Sequence, residues 1–216
     1  VVLRQPHCLS EIAFAALLQY GPDGNSSQSR TSREQVRRIK SGSSPQLERI
    51  AQRSAECSAA GKLGATFGRD VVLVPVPRSR PLKAGALWPA MRIAEELVRY
   101  GLAREVMRLL ERREPIQKSA LQRTAKSRPA PHDHMRTIVV VGSLAVAATR
   151  IVLVDDVVTR GATFLGCASL LHRVLPHVAI SAFAAVRTMS GQEIESMFAP
   201  DTGVITYANG RLHREP

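Results

Sequence analysis

The sequence is poor in aromatic residues, which make up 4% of its 216 positions. That scarcity weakens any reading in which many bases stack on aromatic platforms. Its three cysteines, Cys8, Cys57 and Cys167, are odd in number, widely spaced and without a CxxC pair. Neither a disulfide framework nor a zinc ribbon fits that arrangement, and a reducing cytoplasm is the expected compartment. No leader with a basic start and an apolar core is visible. No membrane span is expected either. The longest apolar region, Thr137 to Val158, is broken by Gly142, Thr149, Arg150 and an aspartate pair, so it reads as two strands. No internal repeat is apparent.

What the chain does have is positive charge, formally +12. A charge of that size suits a polyanionic partner: nucleic acid, an anionic surface, or a small molecule carrying several phosphates. Much of it sits in two runs, Arg30 to Lys40 ("RTSREQVRRIK") and Arg104 to Arg128. Each is a candidate nucleic-acid contact and, in the plainer reading, a solvated basic face.

A hydrophobic content of 44% over this length supports one well-buried domain. In the stretch 1–69, "LSEIAFAALLQY" predicts a helix capped by Ser10, with apolar residues at 12, 14, 17 and 18 on one face. "GPDGNSSQS" reads as a loop, and Pro45 to Cys57 as a second helix. From 70 to 187 the texture changes. "VVLVPVP" predicts a strand covered on both faces, followed by a helix from Pro89 that stops at Gly101. "EVMRLLER", "TIVVVG", "RIVLVDD" and "HVAISAFAAVR" predict further strands. "GATFLGCASLLHRVL" predicts a helix, with Leu165, Leu171, Val174 and Leu175 available to face a sheet. Strands alternating with helices imply an α/β fold, a Rossmann-like open and mostly parallel twisted sheet flanked by helices. The stretch 111–136, "ERREPIQKSALQRTAKSRPAPHDHMR", is basic, proline-punctuated and without apolar period, and predicts a mobile functional loop. Residues 188–216 read as a tail.

The chemistry concentrates in "RIVLVDDVVTRGATFLG". Asp155 and Asp156 end a buried strand, and Thr159-Arg160-Gly161-Ala162-Thr163 turns into a helix. In open α/β sheets, ligands sit at the carboxyl ends of the strands. The unpaired amides of such a turn, aligned with the helix dipole, suit a phosphate. Gly161 permits the close approach, and the hydroxyls of Thr159 and Thr163 add donors. The acids cannot favour the phosphate, but they suit a pair of vicinal hydroxyls, through charge-assisted bonds. Phosphate and diol a few ångströms apart describe a ribose 5-phosphate. The plainer alternative is that the acids merely cap the turn.

"IVLVDDVVTRGAT" resembles the ribose-phosphate signature of the type I phosphoribosyltransferase family. "VVLVPVPRSR", "IQKSALQR" and "VDDVVTRGAT", in that order, are similar to its competence-protein-F branch, over residues 70–187. The four-cysteine zinc module and the Arg-Gly-Phe-Asn-Gln stretch of that branch are not present here; the latter region reads "PLKAGALWPAM". The resemblance implies 5-phosphoribosyl 1-pyrophosphate (PRPP) as ligand, bound by Asp155, Asp156, Val157, Val158, Thr159, Arg160, Gly161, Ala162 and Thr163. It also implies Mg²⁺, bridging the ligand's pyrophosphate and hydroxyls with no direct protein ligand required. Thr159 stands where members acting on 6-oxopurines carry an aspartate, which argues against that acceptor class.

Transfer of the phosphoribosyl group to a nitrogen acceptor, with release of pyrophosphate, is the reaction implied. Pro77, Arg78, Ser79 and Arg80 are the candidates for holding pyrophosphate, and Lys118 and Arg123 for closing over it as a lid. A small hood from the terminal segments, 1–42 or 188–216, is expected to recognise the acceptor. His132-Asp133-His134 offers only a weak metal pattern. A fold that binds the ribose donor without turnover, a nucleic-acid-associated protein, and a homodimer stay open.

Overall fold

The computed structural model describes residues 8–116, 128–142 and 149–215. Its framework is a mixed seven-stranded sheet in the order β3-β2-β6-β7-β1-β8-β9. The strands are β1 (Glu11–Tyr20), β2 (Val71–Pro75), β3 (Glu105–Val106), β6 (Arg150–Val158), β7 (Ala179–Thr188), β8 (Phe198–Ala208) and β9 (Arg211–Glu215). The first five run parallel, and β8 and β9 continue the sheet as an antiparallel hairpin. Two short strands, β4 (Leu110–Arg112) and β5 (Ile138–Val140), form a separate antiparallel pair. The helices are α1 (Ser27–Lys40), α2 (Ser44–Ala59), α3 (Pro89–Arg99), α4 (Pro131–Thr137) and α5 (Ala162–Val174).

Alternation along the central strands divides the core in two. In β2, Val72 and Val74 join one cluster with Met135 of α4 and Phe164, Leu165 and Leu171 of α5. Val71 and Leu73 join the other, with Ile39 of α1, Leu47 and Ile50 of α2, and Ile93 and Leu97 of α3. Helices thus cover both faces, as continuous apolar strands require. Each fully buried valine or leucine contributes about 1.5–3 kcal/mol.

Five expectations need correction. "LSEIAFAALLQY" is β1, not a helix: Phe14 and Ala16 enter one core cluster, Ala15 and Leu17 the other. A helix would have placed only one stripe inside, whereas a strand between β7 and β8 buries every residue from Phe14 to Leu18. "EVMRLLER" is two strands. Leu109 and Leu110 are buried in succession, which breaks the period of two and sends β4 to pair with β5 instead of the main sheet. "TIVVVG" accordingly lies outside the main sheet as well. Part of the stretch 111–136 is regular: Pro131 opens α4, and Asp133 Oδ2 accepts the Ala130 N–H at 2.9 Å. Val174, expected to face the sheet, is exposed.

The basic run 30–40 belongs to α1, and much of its charge has local employment. Arg33 donates to the carbonyls of Gly21, Pro22 and Gly24, and Glu34 pairs with Arg37 and Arg38. In the second run Arg104 pairs with Glu105, Arg113 pairs with Glu111, and Arg108 lies over the Trp88 ring. No helix among the described residues is long and apolar enough to cross a membrane.

Candidate functional site

Strand β6 is hydrogen-bonded to β2 only as far as Val154, so its last residues emerge where neighbouring connections diverge. Asp155 and Asp156 stand there, both half-buried. Asp155 Oδ1 accepts the Asp156 N–H at 2.9 Å, and Asp156 Oδ1 accepts the Val157 N–H at 2.8 Å. Burial first, and the adjacent Asp156 second, hold the Asp155 carboxyl well above the usual carboxylate range. Two crowded carboxylates of this kind gain from a ligand that brings hydroxyl donors or a cation, so the donor set fits a Mg²⁺–diol group.

Behind them Gly161 adopts φ +90°, and a Cβ there would run into the Ile205 side chain of β8. Glycine is required on both counts. It also serves as N-cap of α5, and no side chain caps that helix. The first-turn amides of α5 therefore lack the side-chain acceptor that most helices provide. Asp155 and residues 157–164 line a cleft of about 330 Å³ there. Of the expected ribose-phosphate residues, Asp155, Val157, Val158, Thr159, Arg160, Gly161, Ala162 and Thr163 come together in this lining, and Asp156 stands beside it. The Arg160 guanidinium is held below its ordinary pKa by partial burial and then by nearby Arg128, so the described end of the basic loop adds positive charge at the cleft.

The β2 side carries the other predicted group. Pro77, Arg78 and Arg80 line a second hollow of about 240 Å³ with Trp88, Arg108 and Arg112. Arg78 and Arg80 are exposed, and Ser79 accepts the Ile116 N–H through its carbonyl at 2.8 Å. Lys118 and Arg123 lie outside the described residues.

Arg112, which the sequence did not single out, ties the two hollows together. Its buried guanidinium donates to the Arg78 carbonyl and to Thr137 Oγ1, and lies 3.2 Å from His134 Nδ1. Arginine only donates, so Nδ1 is the acceptor and Nε2 carries the proton. Nε2 is 3.5 Å from Thr163 Oγ1, which leaves the Thr163 hydroxyl hydrogen free for an acceptor in the cleft. Burial, then the Arg112 charge, push the His134 pKa down to about 3, so the ring is neutral. His134 is thus a relay between loops rather than a metal ligand. Asp133 caps α4, the His132 ring faces Tyr207, and among the described residues no cluster is suited to hold a metal.

The C-terminal hairpin closes the opposite side. Arg214 of β9 donates to the carbonyls of Val158 at 3.4 Å and Thr188 at 2.7 Å. Arg187 of β7, 5% exposed, pairs with Asp201 at 3.2 Å. Among the described residues Arg187 Nε and Thr188 Oγ1 are buried without hydrogen-bond partners, an arrangement that costs about 1–3 kcal/mol for each such group. Burial, then Arg187, lower the Arg214 pKa to about 10.

No family model matches the chain. No curated protein matches it. Solved structures do match, among them the adenine phosphoribosyltransferase of Leishmania tarentolae. That crystal structure is 16% identical, with a TM-score of 0.40, over 73% of this chain and 80% of the other. At that distance the functional reading rests on the site itself.

Proposed function

We propose that the protein binds PRPP with Mg²⁺ and transfers its phosphoribosyl group to a nitrogen acceptor. The observation that carries this reading is the uncapped start of α5 opening into the same cleft as the Asp155–Asp156 pair. The amides of residues 161–163 and the Thr163 hydroxyl take the 5-phosphate. The aspartates accept from the ribose hydroxyls. Asp155 and Asp156 would hold Mg²⁺ indirectly, through the ligand's hydroxyls, and the ion would supply neutralisation of the pyrophosphate charge.

In the reaction the acceptor nitrogen forms a bond to C1 as the C1–O bond to pyrophosphate breaks, and the bonding pair leaves with the pyrophosphate oxygen. Any proton on the nitrogen is then released. Negative charge grows on the leaving group, so cations near it stabilise the transition state more than the ground state. Arg78 and Arg80 are suited to that role, with the backbone of their loop pinned by Arg112. From the sequence resemblance, Lys118 and Arg123 would close over the pyrophosphate and exclude water. Thr159 has no group able to act as a base at neutral pH, so acceptors that need deprotonation at the ring are disfavoured.

Pyrophosphate release, measured with PRPP, Mg²⁺ and a panel of nitrogen acceptors including ammonia, tests the transfer. Release that disappears in Asp155→Asn/Asp156→Asn supports it. Donor binding without release from any acceptor would make the protein a sensor of the ribose donor instead.

A further inference from the structure

The positive charge on the hairpin side of the cleft has no use in gripping the ribose donor as assigned above. Strand order explains why. The pyrophosphate loop follows β2, the phosphate turn follows β6, and Arg187 and Arg214 lie beyond β6, on β7 and β9. Displacement at C1 brings the nucleophile in opposite the leaving group. If pyrophosphate leaves on the β2 side, the acceptor enters from the β7 side, next to Arg187, which pairs in register with Val158, the residue just before the turn.

Two guanidiniums meet there with one carboxylate, Asp201, which is itself partly exposed. Among the described residues, Arg187 Nε and Thr188 Oγ1 are buried without acceptors, and the Arg214 guanidinium donates to backbone carbonyls. Buried guanidiniums are retained where a carboxylate or phosphate completes them. Asp201 neutralises one of the two, which leaves one positive charge uncompensated.

We infer that the acceptor bears a carboxylate, and that Arg214, with Arg187 behind it, holds that carboxylate on the hairpin side of the cleft. The inference rests on the phosphoribosyl-transfer reading. It narrows the acceptor to a nitrogen nucleophile that carries an acid group. The Arg214 guanidinium lies over the ring of Phe14, a core residue, which fixes its place beside the Val158 carbonyl at the edge of the cleft.

The test uses matched acceptors with and without the acid, none of which needs a ring N–H to be deprotonated: nicotinate and nicotinamide, anthranilate and aniline. The protein is assayed for pyrophosphate release, and PRPP–Mg²⁺ binding is followed separately by thermal shift. The expected result is release with at least one acid-bearing member and none with its neutral partner. Arg214→Gln then raises the acceptor KM roughly 10- to 100-fold, the loss expected for a charged hydrogen bond, and Arg214→Lys recovers part of it. The PRPP shift stays unchanged in both variants, which also shows that they fold. Release only with neutral acceptors, or with no acid-bearing acceptor, overturns the inference, as does an equal loss of PRPP binding in Arg214→Gln. Absence of a PRPP shift in the unmodified protein would instead overturn the underlying functional reading.

Discussion

At the scale of single residues the site works through groups placed against their own stability. Asp155 has a folded pKa raised above the unfolded value of 3.8, so the folded state holds its proton more tightly. Stability without ligand is therefore highest below the unfolded pKa and falls as pH rises through the folded pKa. Asp155→Asn should flatten that limb and raise the melting temperature at neutral pH, while ligand binding is lost; melting curves across pH check both. His134 has the opposite sign. Its pKa drops from 6.5 unfolded to about 3 folded, so its stabilising contribution is present above 6.5 and is lost as pH falls toward 3. His134→Gln, which keeps an acceptor for Arg112, should lessen the acid destabilisation over that range. Gly161→Ala meets both positive φ and the Ile205 side chain, and should cost about 1–3 kcal/mol, read as a lowered urea midpoint. If Gly161→Ala is as stable as the parent, the cradle is not as close to β8 as described.

At the scale of elements, the start of α5 offers a sharper separation of structure from function. An acid in the first turn of a helix stabilises it by about 0.3–1 kcal/mol. Thr163→Asp should therefore leave the unliganded protein as stable as before or more so, yet abolish the PRPP-induced melting shift by repelling the phosphate. A merely structural turn would not part the two readouts. This element and β6 were legible because their signals are local: four apolar residues, an acid pair, a glycine turn and a helical period. β1 misled because "IAFAALL" satisfies a helical stripe and a buried strand alike, and only pairing with both β7 and β8 decides between them. The hairpin β8–β9 did leave a mark, Asn209-Gly210, whose positive φ values of 51° and 71° turn the chain. Arg112, Arg187 and Arg214 left none. One sits in a basic run, and the other two draw meaning only from strands that are distant in sequence.

At the scale of the molecule, the sheet order sets out the chemistry as a line. The β2 loop stands at one end, the phosphate turn of β6 in the middle, and the arginines of β7 and β9 at the other end. Arg112 and His134 join the first two through hydrogen bonds, and Arg214 joins the last two through the Val158 carbonyl. On the proposed reading part of the large net charge serves the cleft, while much of the remainder is engaged in ion pairs and helix contacts. The most direct measurement of the central claim is the melting temperature with PRPP and Mg²⁺, in the parent chain and in Asp155→Asn/Asp156→Asn. A ligand at about 100 times its Kd adds about 2.7 kcal/mol, so the account predicts a clear rise in the parent and none in the variant. No rise in the parent, or an equal rise in both, would contradict it.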